Sequence, residues 1–340
     1  MYKKNNTISG LNDYIYVNEY IYTNRKGKRK FQELSLKGEV LWQSEENEVY
    51  HYYVNDDIII FNKYNDNEDF IFDDTMIYNR KTKKTVFNGK IPLFLYQYQC
   101  FYENIFYNID VESIIVFDVL KGVILEKKEV KTEGVTSLLT DNFLIKNRDS
   151  HIYAYIKTDF SLLWQKDLND YFLKDTETEV EVKEVYLYEN SLIVVAKAGV
   201  VRLNIETGEL IWKTNYYART MEIVGHFGYV CTSLSLYRIN LDNGETYHYG
   251  REYAQLPDFE YEGKSYWASG HRVVYHDGLL WYLVYDSGDS FVIAIDPESS
   301  EYQWIHKIDT YEKADEIQFH QDKMFISDTG GNLFIYEEIK

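Results

Sequence analysis

Residues 200–213 read VVRLNIETGELIWK, and their pattern indicates the fold class of the chain. Apolar and polar side chains alternate over residues 201–205, which is the period of a half-buried β-strand. Residues 206–209 follow as a tight turn, in which Gly208 can take the positive φ that such turns need. A return strand begins at Leu210. The stretch therefore predicts a β-hairpin.

Seven residues of this hairpin, ETGELIW at 206–212, form a turn-and-strand frame that recurs six more times. The copies are LKGEVLW (36–42), KTKKTVF (81–87), LKGVILE (120–126), TDFSLLW (158–164), DNGETYH (242–248) and ESSEYQW (298–304). Four copies have glycine in the third place, at Gly38, Gly122, Gly208 and Gly244. Four have tryptophan in the seventh place, at Trp42, Trp164, Trp212 and Trp304. A repeat of about 44 residues with room for four antiparallel strands is typical of a β-propeller blade.

The end of the chain contains an unfinished repeat. After Trp304 the pattern predicts three strands, over residues 316–320, 323–327 and 332–337, with no fourth. Residues 2–5 precede the first blade and can supply the missing strand, which would remove an open sheet edge. We therefore predict an all-β fold, a single β-propeller domain over residues 1–340. It has eight four-stranded blades and is closed by pairing of the N- and C-terminal strands. Seven blades with a separate C-terminal segment are the alternative.

The frame resembles the quinoprotein (PQQ-like) propeller repeat, in which an alternating strand ending in Asp precedes Thr-Gly and then a Trp. Residues 200–213 match best, and VIAIDPESSEYQW at 292–304 keeps the Ala-Ile-Asp part. The resemblance implies that the frame tryptophans dock between adjacent blades and are structural. The quinone-dependent dehydrogenases of that family use adjacent paired cysteines and calcium-binding carboxylates. Cys100 and Cys231 are far apart in this chain, so we predict no cofactor.

The net charge limits the kinds of partner that the chain can bind, and the cysteine count limits its disulfides. The chain has 36 Lys and Arg against 55 Asp and Glu, a net charge of −19. Such a field repels nucleic acid and anionic membranes and attracts a basic protein. Two cysteines exclude a disulfide framework, and we expect both to be buried thiols on strands. The N-terminus lacks the apolar segment of a signal peptide, so the sequence predicts a cytoplasmic protein that does not enter membranes.

The sequence contains no local motif for a catalytic centre or a metal site. Neither HExxH nor GxSxG occurs. Paired carboxylates contributed by different blades would leave no such motif. The alternative to a binding protein is therefore a propeller enzyme that acts on a carbohydrate or another small substrate in the central funnel.

An insertion at about residues 250–272 provides the candidate binding site. Aromatic anchors ringed by carboxylates are typical of protein interfaces, and the predicted partner-binding residues are Tyr253, Phe259, Glu260, Tyr261, Glu262, Tyr266 and Trp267. The sequence thus predicts a non-catalytic protein-binding module, and specifically an immunity or inhibitor-type protein that caps a basic partner. The competing interpretation is a loop folded onto its own blade. Carboxylates converging in the channel would favour the enzyme, and an exposed aromatic patch on one face would favour binding.

Overall fold

The structure is a computed structural model of the 340-residue chain. It describes residues 1–17, 19–25, 30–44, 49–63, 74–90, 101–102, 104–109, 112–172, 180–232, 235–249, 256–268 and 270–339. The described part is all-β apart from one short helix, α1 (Asn169–Phe172). Cys100 and Tyr253 lie outside the described residues, whereas Cys231 is a buried thiol on a strand, as expected.

Eight four-stranded sheets form the blades of a β-propeller, which confirms the predicted fold class. In the first seven blades the strands pair in chain order, from the inner strand outward. Blade one consists of β2 (Leu11–Val17), β3 (Tyr20–Arg25), β4 (Phe31–Leu34) and β5 (Val40–Gln43), and blade two of β6 (Val49–Val54), β7 (Ile58–Lys63), β8 (Asp74–Asn79) and β9 (Lys84–Lys90). Blade three consists of β10 (Phe101–Tyr102), β11 (Ile105–Ile109), β12 (Ser113–Asp118) and β13 (Val123–Glu129). Blade four consists of β14 (Val135–Leu139), β15 (Phe143–Arg148), β16 (His151–Ile156) and β17 (Leu162–Asp167).

Blades five to seven follow the helix. Blade five consists of β18 (Val182–Tyr188), β19 (Ser191–Ala196), β20 (Gly199–Asn204) and β21 (Leu210–Thr214). Blade six consists of β22 (Thr220–Val224), β23 (Phe227–Cys231), β24 (Leu236–Asn240) and β25 (Thr246–Tyr249). Blade seven consists of β28 (Gly270–His276), β29 (Leu279–Asp286), β30 (Asp289–Ile295) and β31 (Tyr302–Ile308). Between blades six and seven, β26 (Phe259–Tyr261) and β27 (Lys264–Tyr266) form a separate two-stranded hairpin.

The eighth blade combines both ends of the chain, as predicted. Its order is β1 (Tyr2–Ser9), β34 (Asn332–Glu338), β33 (Lys323–Asp328) and β32 (Ala314–His320), so β1 is the outer strand. The Ile339 N–H donates to the Met1 carbonyl at 2.7 Å. Tyr2 is buried and packs edge-on against Trp281 of blade seven, with ring centroids 5.5 Å apart.

The chain divides into two compact units, residues 1–7, 148–154 and 163–340 in one and residues 8–147 and 155–162 in the other. In each unit the core consists of apolar clusters shared by successive blades. The first unit has clusters between blades five and six, six and seven, and seven and eight. The second has clusters between blades one and two and blades two and three. A single domain over residues 1–340 stays a prediction.

All seven frames adopt the same turn. The third frame residue has positive φ in every copy, including those without glycine: Gly38, Lys83, Gly122, Phe160, Gly208, Gly244 and Ser300. An Asn or Asp two residues before most frames accepts backbone N–H bonds from the turn; Asn204, for example, accepts from Glu206 and Thr207 at 2.9 and 3.0 Å. The turn is therefore stabilised by the Asn or Asp side chain as well as by a glycine in the third place.

The frame tryptophans dock against the next blade, as the resemblance implied. The indole N–H groups of Trp164 and Trp212 donate to the backbone carbonyls of Ile205 and Leu241 at 2.8 and 2.9 Å. Each ring also lies against the frame glycine of that next blade: a Cβ on Gly208 would lie 2.7 Å from Trp164 Cδ2. Trp42 and Trp304 are half-buried and pack on aromatic rings of the following blade, Tyr78 and Tyr2 respectively.

Candidate protein-binding site

The insertion folds onto its own blade through two of its aromatic residues. Phe259 and Tyr266 face each other across the β26–β27 hairpin and are only 4% and 5% exposed. Both rings pack against Phe291 of β30, at centroid distances of 5.2 and 4.5 Å. This placement corrects the sequence interpretation of Phe259 and Tyr266 as anchors, because a side chain buried in its own core has no area to offer a partner. The alternating pattern of a short hairpin does not reveal which of its faces is covered.

A charged network fixes the hairpin to blade seven. Asp289 of β30 accepts the Tyr266 hydroxyl at 2.7 Å and pairs with Lys307 at 2.7 Å and Lys264 at 3.5 Å. Lys307 and Tyr266 hold the pKa of the Asp289 carboxyl below its usual range. Asp286 accepts the backbone N–H of Trp267 at 2.9 Å. The hairpin is therefore a fixed part of the surface.

The remaining predicted residues of the insertion differ in exposure. The Trp267 side chain is 56% exposed, while the backbone N–H of this residue is bonded to Asp286. Glu260 and Glu262 are exposed, and Tyr261 is half-buried with its ring 5.4 Å from Phe291. One aromatic anchor and two carboxylates of the predicted set are thus fully available at the surface.

Strand direction places further exposed aromatic residues at the same end of the blades. In a four-stranded antiparallel blade, the connection into the inner strand and the turn between the second and third strands lie at one end. The frame turns lie at the other end. In blades five to eight, the first end presents exposed rings that we name the aromatic loop face, consisting of Tyr216, Tyr217, Trp267, Tyr285 and Tyr311.

The rings of the aromatic loop face differ in how far they are packed against the protein. Tyr311 is 97% exposed and is followed by the exposed Glu312. Tyr216 rests on His248, with ring centroids 4.5 Å apart. Tyr216, Tyr217, Tyr285 and Tyr311 are not among the predicted residues, because the abundance of tyrosine in this chain hides which ones are exposed. The available signal was the position of Tyr216, Tyr217 and Tyr311 in connections between blades, whereas Tyr285 lies near the end of β29.

A cavity of about 370 Å³ lies among the inner strands of blades five, six and seven. Its lining consists of Glu184, Tyr186, Thr220, Met221, Glu222, Ile223, Arg272 and Val273. The inner strands of blades five to eight each have one residue at the same distance from the turn that ends the strand. These residues are Glu184, Thr220, Arg272 and Glu316. That position is near the start of each strand, so this charged layer lies toward the aromatic loop face.

Both carboxylates of the cavity are unfavourable to ionise. Glu184 Oε2 accepts the Tyr186 hydroxyl at 2.8 Å and the Met221 N–H at 2.9 Å. Burial raises the pKa of Glu184, and these bonds together with Arg272 only partly offset it. Burial also raises the pKa of Glu222, with a smaller contribution from the Glu184 charge. Arg272 is more than half exposed and lies 3.8 Å from Glu316, so its guanidinium is shared with a third carboxylate.

The structure also allows a direct search for metal sites and membrane spans. Among the described residues, no group of three or more His, Cys, Asp or Glu side chains is arranged to hold a metal ion. No helix in the described part of the chain is long and apolar enough to cross a membrane.

Comparison with known proteins agrees with the fold and the repeat. The family model described as outer membrane protein assembly factor BamB matches residues 148–337, more than half of the chain. The chain therefore belongs to this family of PQQ-like β-propeller repeat proteins. No curated protein sequence is significantly similar to it.

Three solved structures share the fold at low sequence identity. BamB from Moraxella catarrhalis is 9% identical with a TM-score of 0.64, and the match covers 99% of this chain and 100% of that one. Sqt1 from Saccharomyces cerevisiae is 8% identical with a TM-score of 0.67 over the whole of both chains. The computationally designed Ika8 protein is 12% identical with a TM-score of 0.64, covering 97% and 96%. At these identities the similarity concerns the fold alone.

Proposed function

We propose that this protein is a non-catalytic propeller that binds a basic protein through the aromatic loop face. The observation that carries the proposal is the set of exposed rings at one end of blades five to eight, led by Trp267 and Tyr311. Large amphipathic rings bury much area on binding at low entropic cost, which is why they dominate interface energetics. The family match, to a factor that acts in protein assembly, supports a protein partner.

The charge of the chain supports the basic character of the partner. The net charge of −19 and the exposed Glu260 and Glu262 of the hairpin that precedes Trp267 would steer a cationic surface toward this face. The finer proposal is that the chain is an immunity or inhibitor-type protein that caps its basic partner. A stoichiometric amount of the chain should then abolish the activity of that partner.

Capture of the partner from native cells, followed by binding kinetics, tests the proposal. Trp267→Ala should raise the dissociation rate, because it removes a buried anchor. Glu260→Lys should slow association, most strongly at low salt, because it acts through the long-range field. Ile211→Ala is the matched control, since Ile211 is similarly exposed but lies on the outer strand β21. Equal effects of Trp267→Ala and Ile211→Ala would contradict the proposed face.

The proposed location of the protein is the cytoplasm. Fractionation of native cells tests it. Recovery with the outer membrane, which the family description names, would overturn it.

The carboxylates of the cavity favour one other function, hydrolysis of a carbohydrate in the funnel. A hydrolytic pair needs one carboxyl held protonated and the other ionised, so their environments must push the two pKa values apart. Here burial raises the pKa of both Glu184 and Glu222. This shared direction is why we favour binding. Turnover of a glycoside that is lost in Glu222→Gln would instead establish the enzyme.

A further inference from the structure

The cavity among the inner strands has the chemistry of a receptor for a cation. Glu184 and Glu222 line it together with Arg272, whose guanidinium also lies 3.8 Å from Glu316. One positive charge is thus divided among three carboxylates, so the group keeps a negative charge when ionised.

The hydrogen bonds around Glu184 also favour the binding of a cation. Tyr186 Oη lies 2.8 Å from both Glu184 Oε2 and the Met221 carbonyl oxygen, yet the hydroxyl has only one hydrogen for these two acceptors. A proton on Glu184 would satisfy both contacts, as would a cation that supplies further N–H donors to the oxygens. Thr220, next to Met221 on β22, has a buried hydroxyl oxygen with no hydrogen-bond partner, and this hydroxyl can donate or accept. The contacts of Tyr186 with Glu184 and Met221 are thus one hydrogen short.

We propose that the cavity receives a lysine or arginine side chain of the bound protein, with its cationic group placed between Glu184 and Glu222. This inference rests on the proposed function, because it gives the basic partner a specific residue to insert. The charged layer lies toward the aromatic loop face, so a partner seated there can reach the cavity with one side chain. A volume of about 370 Å³ accommodates such a side chain with its remaining water.

Binding of the cation should be linked to proton release. The charged groups that face Glu184 and Glu222 are each other and Arg272 on β28, which also pairs with Glu316 on β32. Tyr186 on β18 is their titratable neighbour, and the backbone N–H of Tyr275 on β28 donates to Glu222. A cation favours the ionised carboxylates, so it should lower their pKa values and displace protons from them. Its affinity should therefore increase as the pH rises through the raised pKa values, and this increase should vanish in Glu184→Gln/Glu222→Gln.

The Met221 methyl group gives a direct readout. The chain has four methionines, so protein labelled with ¹³C at the methionine methyl groups gives few signals, and Met221 alone of the four lines the cavity. The probe is Nα-acetyl-lysine methylamide, titrated to about 100 mM to detect Kd values weaker than about 1 mM. The neutral control is Nα-acetyl-norleucine methylamide in matched sodium chloride. We expect saturable movement of the Met221 signal with the lysine probe only.

Variants decide whether the two carboxylates are responsible. Glu184→Gln/Glu222→Gln should lose at least tenfold in affinity for the probe, whereas Glu206→Gln, at the opposite end of the blade, should retain it. Arg272→Gln should bind the probe more tightly, an outcome that misfolding cannot produce. No movement of Met221, equal movement with norleucine, or no effect of the double variant would overturn the inference.

Failure of this inference is separable from failure of the proposed function. If the lysine probe leaves Met221 unchanged while Trp267→Ala still weakens the captured partner, only the cavity assignment is wrong. If the probe binds but the partner contacts another surface, the aromatic loop face is wrong.

Discussion

At the scale of single residues, Glu184 is a carboxyl group whose ionisation the fold opposes. Its folded-state pKa is raised chiefly by burial, so the folded protein holds this proton more tightly than the unfolded chain does. The resulting stabilisation is complete below the ordinary carboxyl pKa and is lost as the pH rises through the raised value. Glu184 therefore contributes less to stability at neutral pH than it does below the ordinary carboxyl pKa.

Glu184→Gln should accordingly raise the melting temperature at neutral pH, because the amide accepts the same hydrogen bonds without a charge. The gain should shrink toward zero at about pH 4, where the glutamate is protonated. Thermal unfolding across this range measures it, with Glu206→Gln as the control that shows no such pH dependence. A Glu184→Gln protein less stable than wild type at neutral pH would contradict this prediction.

Two tryptophans should differ sharply in their contribution to stability. Trp212→Ala removes a buried ring that joins two blades and should cost roughly 3–5 kcal/mol. Trp267→Ala removes an exposed ring and should cost well under half of that. Urea unfolding of both variants checks the difference. Equal losses would show that the assignment of core and surface is mistaken.

At the scale of elements, the frames join blade four to blade five and blade five to blade six through a tryptophan ring and a glycine. Gly208 has φ +68° and its Cα faces the Trp164 ring, so a methyl group there would meet both backbone strain and overlap. Gly263 has φ +78° in the insertion hairpin, with no atom within 4 Å of a Cβ position. An added methyl group would thus meet backbone strain at both glycines but steric overlap only at Gly208.

Gly208→Ala should therefore destabilise the protein by about 1–3 kcal/mol more than Gly263→Ala, the usual cost of overpacking. Equilibrium unfolding of the pair measures this difference. In a Trp164→Ala background the two substitutions should become nearly equal. A difference that persists without the Trp164 ring would contradict docking through the frame glycine.

The elements also show what the sequence could and could not predict. Period-2 alternation and the frame turns were enough to predict eight blades, because both are local chemistry repeated along the chain. The pairing of β1 with β34 followed from the missing fourth strand of the last repeat. Copies without glycine, such as Lys83 and Ser300, kept the turn because it also rests on the preceding Asn79 or Asp296. The sites were harder. Burial of Tyr266 depends on Phe291, and the cavity joins Glu184 to Arg272, contacts between strands far apart in sequence.

At the scale of the whole molecule, the last blade depends on the first residues of the chain. Tyr2→Ala should lower the melting temperature by several degrees, because the ring packs between Trp281 and Phe319. Lys3→Ala, whose side chain is exposed on the same strand, is the matched control. Deletion of residues 1–8 should lower the melting temperature further and promote aggregation through the bare edge of β34. Unchanged stability after that deletion would refute the role of β1.

The central claim is that the aromatic loop face binds a basic protein. Hydrogen–deuterium exchange of the chain, alone and with the captured partner, tests this claim most directly. We predict protection in the connections around Tyr216 and Tyr311 and in residues 256–268, with the frame turns at 206–209 and 242–245 unchanged. Protection confined to the frame turns or the outer strands, with none in those connections, would contradict it.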